Sequence, residues 1–166
     1  MGFSTTDRRR AEAIAAKYPQ ARSATLPLLF YVQDRDGWVS PQGIEDVAEF
    51  LKLTPAQVLG TCSFYTMFKT EPVGALVVSV CTNVACLVQG GPELHEQLRR
   101  RYAEDDSVFV EEVECLAHCD RAPALQVNYD FHGPHTTDSA VDLVEQYRSG
   151  AIPARTISGT AAGGDR

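Results

Sequence analysis

The spacing of the cysteines constrains this chain more than any other feature of its sequence. Four of the five cysteines form two short pairs, Cys81-x4-Cys86 and Cys115-x3-Cys119, with 28 residues between the pairs. Each pair directly follows a run typical of a β-strand, GALVVSV before the first and SVFVEEVE before the second. Thiolates select soft or borderline metals, and four of them satisfy either a tetrahedral zinc ion or a [2Fe–2S] cluster. The spacing therefore predicts a sulfur-ligated site on two loops.

Composition narrows the classes of function. The chain has 166 residues, a formal net charge of −7 and 44% hydrophobic residues. An acidic chain argues against nucleic-acid binding, which depends on basic surfaces. No apolar run reaches the length of a transmembrane helix, and the start MGFSTTDRRR lacks the apolar core of a secretory signal. A cytoplasmic location is therefore expected, and clustered cysteines there are more often metal ligands or catalytic groups than disulfides.

The first 72 residues have the pattern of a small helical bundle. Ser40 followed by Pro41, and Thr54 followed by Pro55, are typical helix starts, because the hydroxyl caps the free N–H groups and proline fits the first turn. The second helix is expected to run through TPAQVLGTCSFYTMF, which would place Phe64, Tyr65 and Phe68 on a core-facing side. The predicted organisation is a helical region over 1–72, a second domain over 73–152, and a disordered tail over 153–166.

Residues 73–152 alternate between strand and helix patterns in the order β-α-β-β-(β)-α. The strands ALVVSV and SVFVEEVEC flank the helix ELHEQLRRRYAE, and ALQVN and the helix 136–148 follow. A strand, a crossover helix and a second strand form a right-handed parallel pair, whose strands end on the same side. This geometry brings the two cysteine pairs together. The predicted fold class is thus α/β (α+β), with the cysteines at one edge of the sheet.

Spacing alone leaves three kinds of site open. Structural zinc more often uses short C-x2-C pairs, and a thioredoxin-type dithiol needs C-x-x-C at a helix start. A [2Fe–2S] cluster accommodates wider loops, and it needs backbone N–H groups aimed at its sulfurs, which TNVA and LAH could supply. A Rieske centre would need two histidine ligands, and His118 beside Cys119 is the one histidine within the cysteine motifs. We therefore favour iron–sulfur over zinc and over a redox dithiol.

Three motifs together resemble a known family. SFYTMF (63–68), CTNVAC (81–86) and CLAHCDRAP (115–123), in this order, are similar to those of the thioredoxin-like [2Fe–2S] ferredoxins, and in particular of the small iron–sulfur subunits of NADH:quinone oxidoreductases, respiratory complex I. The resemblance covers roughly residues 8–149. It implies an N-terminal helical bundle followed by a thioredoxin-like βαβββα domain. It also implies one [2Fe–2S] cluster, ligated by Cys81, Cys86, Cys115 and Cys119.

The resemblance also carries expectations about partners. The chain has neither G-x-G-x-x-G after a strand nor a Walker motif, so FMN and NADH are expected only in a partner subunit. The family implies an electron-transfer subunit that is not catalytic alone. It would lie beside the flavin/NADH-binding subunit, in the peripheral arm of a membrane-bound complex and on its cytoplasmic side. The alternatives are the same module in an NAD-linked hydrogenase or formate dehydrogenase, a free ferredoxin, and a zinc-stabilised interaction module.

Two positions depart from the family pattern. The second motif of the family usually reads C-L-G-x-C, whereas this chain has Ala117 at the glycine. A methyl group there would strain the loop if the position requires a positive φ. Cys62 precedes SFYTMF at a position where the family tends to have a small residue, and we expect it to be a buried apolar side chain.

Overall fold

The computed structural model describes residues 2–154, so most of the predicted tail, from residue 155 onward, lies outside the described residues. Two compact units divide the chain, Met1–Pro72 and Val73–Arg166. None of the helices in residues 2–154 combines the length and the apolar character needed to cross a membrane.

The N-terminal unit is built from α-helices, as its pattern predicts. Its helices are α1 (Thr5–Ala15), α2 (Thr25–Asp36), α3 (Pro41–Leu51) and α4 (Pro55–Phe64), with a 3₁₀ turn at Ala21–Ala24. The predicted caps are confirmed, since the Ser40 hydroxyl accepts from the Gly43 N–H at 3.0 Å and Thr54 forms a capping box with Gln57. Cys62 is fully buried in the core of this unit, where burial raises its thiol pKa to about 11. That placement confirms its expected role as an apolar side chain.

Helix α4 ends earlier than the sequence predicts. The backbone becomes extended at Tyr65, and the next residues are held by the buried amide of Gln33. Gln33 donates to the Met67 carbonyl at 3.0 Å and accepts from the Lys69 N–H at 2.7 Å. The prediction of a core-facing helical side was therefore wrong for Phe64, which is 77% exposed, although Phe68 is buried.

The second unit is a four-stranded sheet covered on one face by helices. Its elements are β1 (Leu76–Cys81), α5 (Val84–Leu87), α6 (Gly91–Arg101), β2 (Val108–Val113), a 3₁₀ turn (Cys119–Arg121), β3 (Leu125–Val127), β4 (Asp130–His132) and α7 (Thr137–Arg148). The strand order is β2-β1-β3-β4. Strand β1 pairs with β2 in parallel and with β3 in antiparallel fashion, and β3 and β4 form a hairpin. The predicted α/β fold is confirmed.

Helices α6 and α7 bury alternate residues of the central strand. Leu76, Val78 and Val80 of β1 share a core with Leu98 of α6 and Val144 of α7. Because β1 and β2 are parallel and pair Cys81 with Val113, the chain leaves both strands at the same edge of the sheet. The fold thus places both cysteine loops at one edge.

Candidate metal centre

The four predicted ligands are held on three segments that meet at this edge. Cys81 is the last residue of β1 and Cys86 lies in the short helix α5, whereas Cys115 and Cys119 lie on the loop after β2. Backbone hydrogen bonds join these segments: the Cys81 N–H donates to the Ala124 carbonyl at 3.0 Å, and the Thr82 N–H donates to the Val113 carbonyl at 3.1 Å. The loops are therefore anchored to the sheet at the point where the cysteines emerge.

The thiols differ in exposure and are close enough to influence one another. Cys81 and Cys86 are buried, Cys115 and Cys119 are exposed, and all four are free thiols. Burial raises the pKa of the Cys86 thiol, and a hydrogen bond with Cys81 and the charge of Cys119 act in the same direction. Neighbouring thiolates repel each other, so their joint deprotonation requires a compensating cation. This donor set therefore fits a bound metal.

Backbone N–H groups point at two of the sulfurs. The Ala124 N–H donates to Cys86 Sγ at 3.4 Å, and the Ala117 N–H donates to Cys115 Sγ at 3.3 Å. The first bond opposes the pKa increase of Cys86, because it stabilises the thiolate. Donors of this kind offset the negative charge of an iron–sulfur cluster and influence its potential. The residues present thus fit such a cluster.

The structure brings the predicted ligands together to different degrees. Cys81 and Cys86 interact directly, and Cys119 lies within electrostatic reach of Cys86. The Cys81 thiol lies 3.6 Å from the carbonyl of Glu114, the residue before Cys115. Among residues 2–154, no group of three or more Cys, His, Asp or Glu side chains is arranged to hold a single metal ion.

His118 lies between two predicted ligands but has contacts of its own. Its ring is 6.0 Å from that of Phe131, between centroids, and its Nδ1 is 3.8 Å from a carboxylate oxygen of Asp120. The structure thus gives this imidazole other neighbours than the thiols, which supports leaving it out of the ligand set.

Two residues that support the site were missed by the sequence reasoning. Ala124 supplies the N–H to Cys86, and Gly91 approaches the first cysteine pair so closely that an added Cβ would lie 2.5 Å from the Cys81 carbonyl oxygen. The Gly-Gly-Pro sequence before α6 was a signal for such a close approach. No sequence pattern marks Ala124, whose role follows from the pairing of β1 with β3.

Ala117 occupies a left-handed backbone conformation, with φ +55°. This is the condition under which its methyl group was expected to strain the loop. Left-handed backbone costs a non-glycine residue roughly 1–2 kcal/mol. The family's preference for glycine at this position therefore has a conformational reason.

We expect Ala117→Gly to stabilise the protein by about 0.5–1 kcal/mol. The relief of the left-handed strain exceeds the additional flexibility that glycine gives to the unfolded chain. Urea unfolding measures the change. Ala122→Gly is the matched control, because Ala122 lies in the same loop with an ordinary φ of −71° and should lose stability. Equal losses in both variants would contradict the strain at Ala117.

Comparison with known proteins places this fold and site in one family. The family model described as thioredoxin-like [2Fe–2S] ferredoxin matches residues 11–148. The chain therefore belongs to the thioredoxin-like [2Fe–2S] ferredoxin family, whose name includes the cluster for which the two cysteine loops are suited.

Individual relatives extend the match over nearly the whole chain. The chain is 39% identical over 153 residues to an NADH-quinone oxidoreductase subunit of Mycobacterium bovis, which covers 88% of this chain and 61% of that protein. It is 34% identical to an NADH-quinone oxidoreductase subunit of Rhizobium meliloti, over 96% of this chain and 99% of the relative. The chain thus spans about three fifths of the length of the mycobacterial relative and almost all of the rhizobial one.

A solved structure shares the fold. A chain of an NAD⁺-reducing [NiFe]-hydrogenase in the air-oxidized state matches with a TM-score of 0.63 and 20% identity, covering 75% of this chain and 23% of that chain. At this identity the match supports the fold alone.

Proposed function

We propose that the chain is the [2Fe–2S] electron-transfer subunit of the NADH-oxidising module of an NADH:quinone oxidoreductase. Cys81, Cys86, Cys115 and Cys119 would be the cluster ligands. The observation that carries this proposal is the parallel pairing of β1 with β2, from which both cysteine loops leave the sheet at one edge. The match with the rhizobial relative, over almost the full length of both chains, supports the choice of host complex.

The chain's own residues would hold the cluster and adjust its electrostatics. When bound, the cluster supplies one-electron transfer, which no amino-acid side chain here provides. The N–H groups of Ala124 and Ala117 would donate to its sulfurs, as they do to the thiols. The burial of Cys81 and Cys86 would keep one side of the site dry, while the exposed pair would face the electron-transfer partner. An electron could then enter or leave on the exposed side.

The partner in this proposal is the flavin- and NADH-binding subunit of the same complex. NADH would be oxidised there, and the cluster of the present chain would exchange single electrons with the flavin. The complex would place this chain in its peripheral arm, at the cytoplasmic face of the membrane.

The proposal is tested by co-expressing the tagged chain with the flavin-binding protein of the same organism's complex. We expect the two proteins to copurify in equal amounts, and NADH to reduce the cluster only when the flavin-binding protein is present. Failure of the two to associate would contradict the choice of host complex. Association with a component of a hydrogenase or formate dehydrogenase instead would assign the chain to that class of enzyme.

A further inference from the structure

Helix α4 exposes an apolar face that the cluster site does not use. Its inner face contributes Val58 and Cys62 to the core of the N-terminal unit. Its outer face is exposed along its whole length and has the i, i+3, i+4, i+7, i+8 spacing of a contact stripe. We call this outer face the α4 patch: Ala56, Leu59, Gly60, Ser63 and Phe64. A helix that is apolar on both faces is typical of one enclosed on both sides.

The exposure of the α4 patch is large for apolar side chains. Phe64 is 77% exposed and Leu59 is 49% exposed. Between them, Gly60 has no atom within 4 Å of the place where a Cβ would stand. The patch therefore combines two protruding apolar side chains with a flat centre that another backbone could approach closely.

The structure holds the protruding aromatic in a defined position. The Phe64 ring contacts the Tyr65 ring edge-on, with 5.0 Å between the centroids. The segment after Tyr65 is fixed by the two hydrogen bonds of the buried Gln33 amide. A pre-positioned aromatic loses little entropy on binding, which is characteristic of residues that dominate interface energies.

Charge decides what kind of partner fits. Residues 53–68 contain no Asp, Glu, Lys, Arg or His, although charged residues make up 22% of the chain. The centres of protein interfaces are similarly poor in charge and rich in aromatic residues. A second copy of this chain would bring together two molecules of net charge −7, which repel each other. The charges therefore favour a different protein with an uncharged apolar surface.

We propose that the α4 patch is a docking surface for a heterologous protein partner that presents an uncharged apolar segment. Given the proposed function, on which this choice of partner rests, the occupant is the flavin-binding subunit. Leu59 and Phe64 would insert into apolar pockets of that subunit, and Gly60 would allow its backbone to lie close to the helix. This contact would be made by the N-terminal unit and would be separate from the cysteine loops.

The test measures the affinity of purified variants for the flavin-binding subunit, by calorimetry or interferometry. The double variant Leu59→Ala/Phe64→Ala should bind at least ~30-fold more weakly, as expected for the loss of interface anchors. Gly60→Gln, which adds bulk at the centre of the patch, should bind at least ~10-fold more weakly. Its thermal midpoint should be no lower than that of the wild type, since glutamine is a better helix former than glycine. Tyr18→Ala is the matched control: this aromatic is 38% exposed on the same unit but outside the patch, and its loss should leave affinity unchanged.

The outcomes separate the docking surface from the proposed function. If the wild type binds the flavin-binding subunit and both patch variants bind it equally well, the docking surface is wrong while the proposed function stands. If the wild type does not bind that subunit, the proposed function fails and this occupant with it. If light scattering shows a wild-type dimer that the patch substitutions dissociate, the occupant is a second copy and the heterologous proposal is overturned.

Discussion

Replacing Cys86 by alanine is expected to remove most of the iron bound by this protein, lowering iron per chain at least ~10-fold. The Cys86 thiol is buried, interacts with Cys81 and accepts a hydrogen bond from the Ala124 N–H. Its removal would leave one iron with three protein sulfurs to share with its neighbour. Loss of supporting groups around a metal alone costs about 10–100-fold in affinity, so loss of a ligand should cost at least as much. Iron and acid-labile sulfide assays on anaerobically purified protein measure the effect.

Cys62→Ser provides the matched control for that experiment. Cys62 is also fully buried, and its pKa is also raised by burial, but it lies in the core of the N-terminal unit. The substitution should cost some stability, because it buries a hydroxyl in an apolar site, but it should leave the iron content unchanged. Equal loss of iron from both variants would show that the ligands have been assigned wrongly.

The largest loss of stability is expected for Asn128→Ala, at about 3–4 kcal/mol. The Asn128 side chain is 3% exposed and joins the β3–β4 turn to the start of β1. Its Oδ1 accepts from the Val77 N–H at 2.7 Å, and its Nδ2 donates to the Ala75 carbonyl at 2.8 Å. Alanine would leave a buried N–H without its partner, at about 1–3 kcal/mol, and would also have to adopt φ +44°, which asparagine tolerates better.

Urea unfolding of three variants separates these two contributions. Asn128→Gly keeps the positive φ without strain and loses only the hydrogen bonds, so it should be less harmful than Asn128→Ala. Gln126→Ala, at a half-buried position of the same hairpin, should cost less than about 1 kcal/mol. If Asn128→Ala were no worse than Gln126→Ala, the hydrogen bonds from this side chain would not hold the hairpin to β1.

Local chemistry in the sequence was enough to predict most of the fold. The Ser40 and Thr54 caps could be identified because capping depends on residues within one turn. The parallel pairing of β1 with β2 followed from the handedness of the β-α-β connection, which is nearly invariant. That pairing in turn predicted that the two cysteine loops would meet at one edge.

Features that depend on distant residues could not be predicted in this way. The end of α4 at Phe64 is stabilised by Gln33, about 30 residues earlier in the chain, and nothing near Phe64 in sequence signals the change of direction. The Ala124 N–H that supports Cys86 is likewise positioned by β3, on the far side of the second cysteine pair. Ala117 lies between these cases, because its left-handed backbone was foreseen only as a possibility, from the family's glycine.

Electron paramagnetic resonance of the anaerobically purified chain, with metal and sulfide analysis of the same sample, tests the central claim most directly. Two loops anchored at one edge of the sheet should hold about two irons and two labile sulfides per chain. Reduction with dithionite should then produce one S = 1/2 signal per chain. Stoichiometric zinc, with no iron and no signal on reduction, would contradict the account.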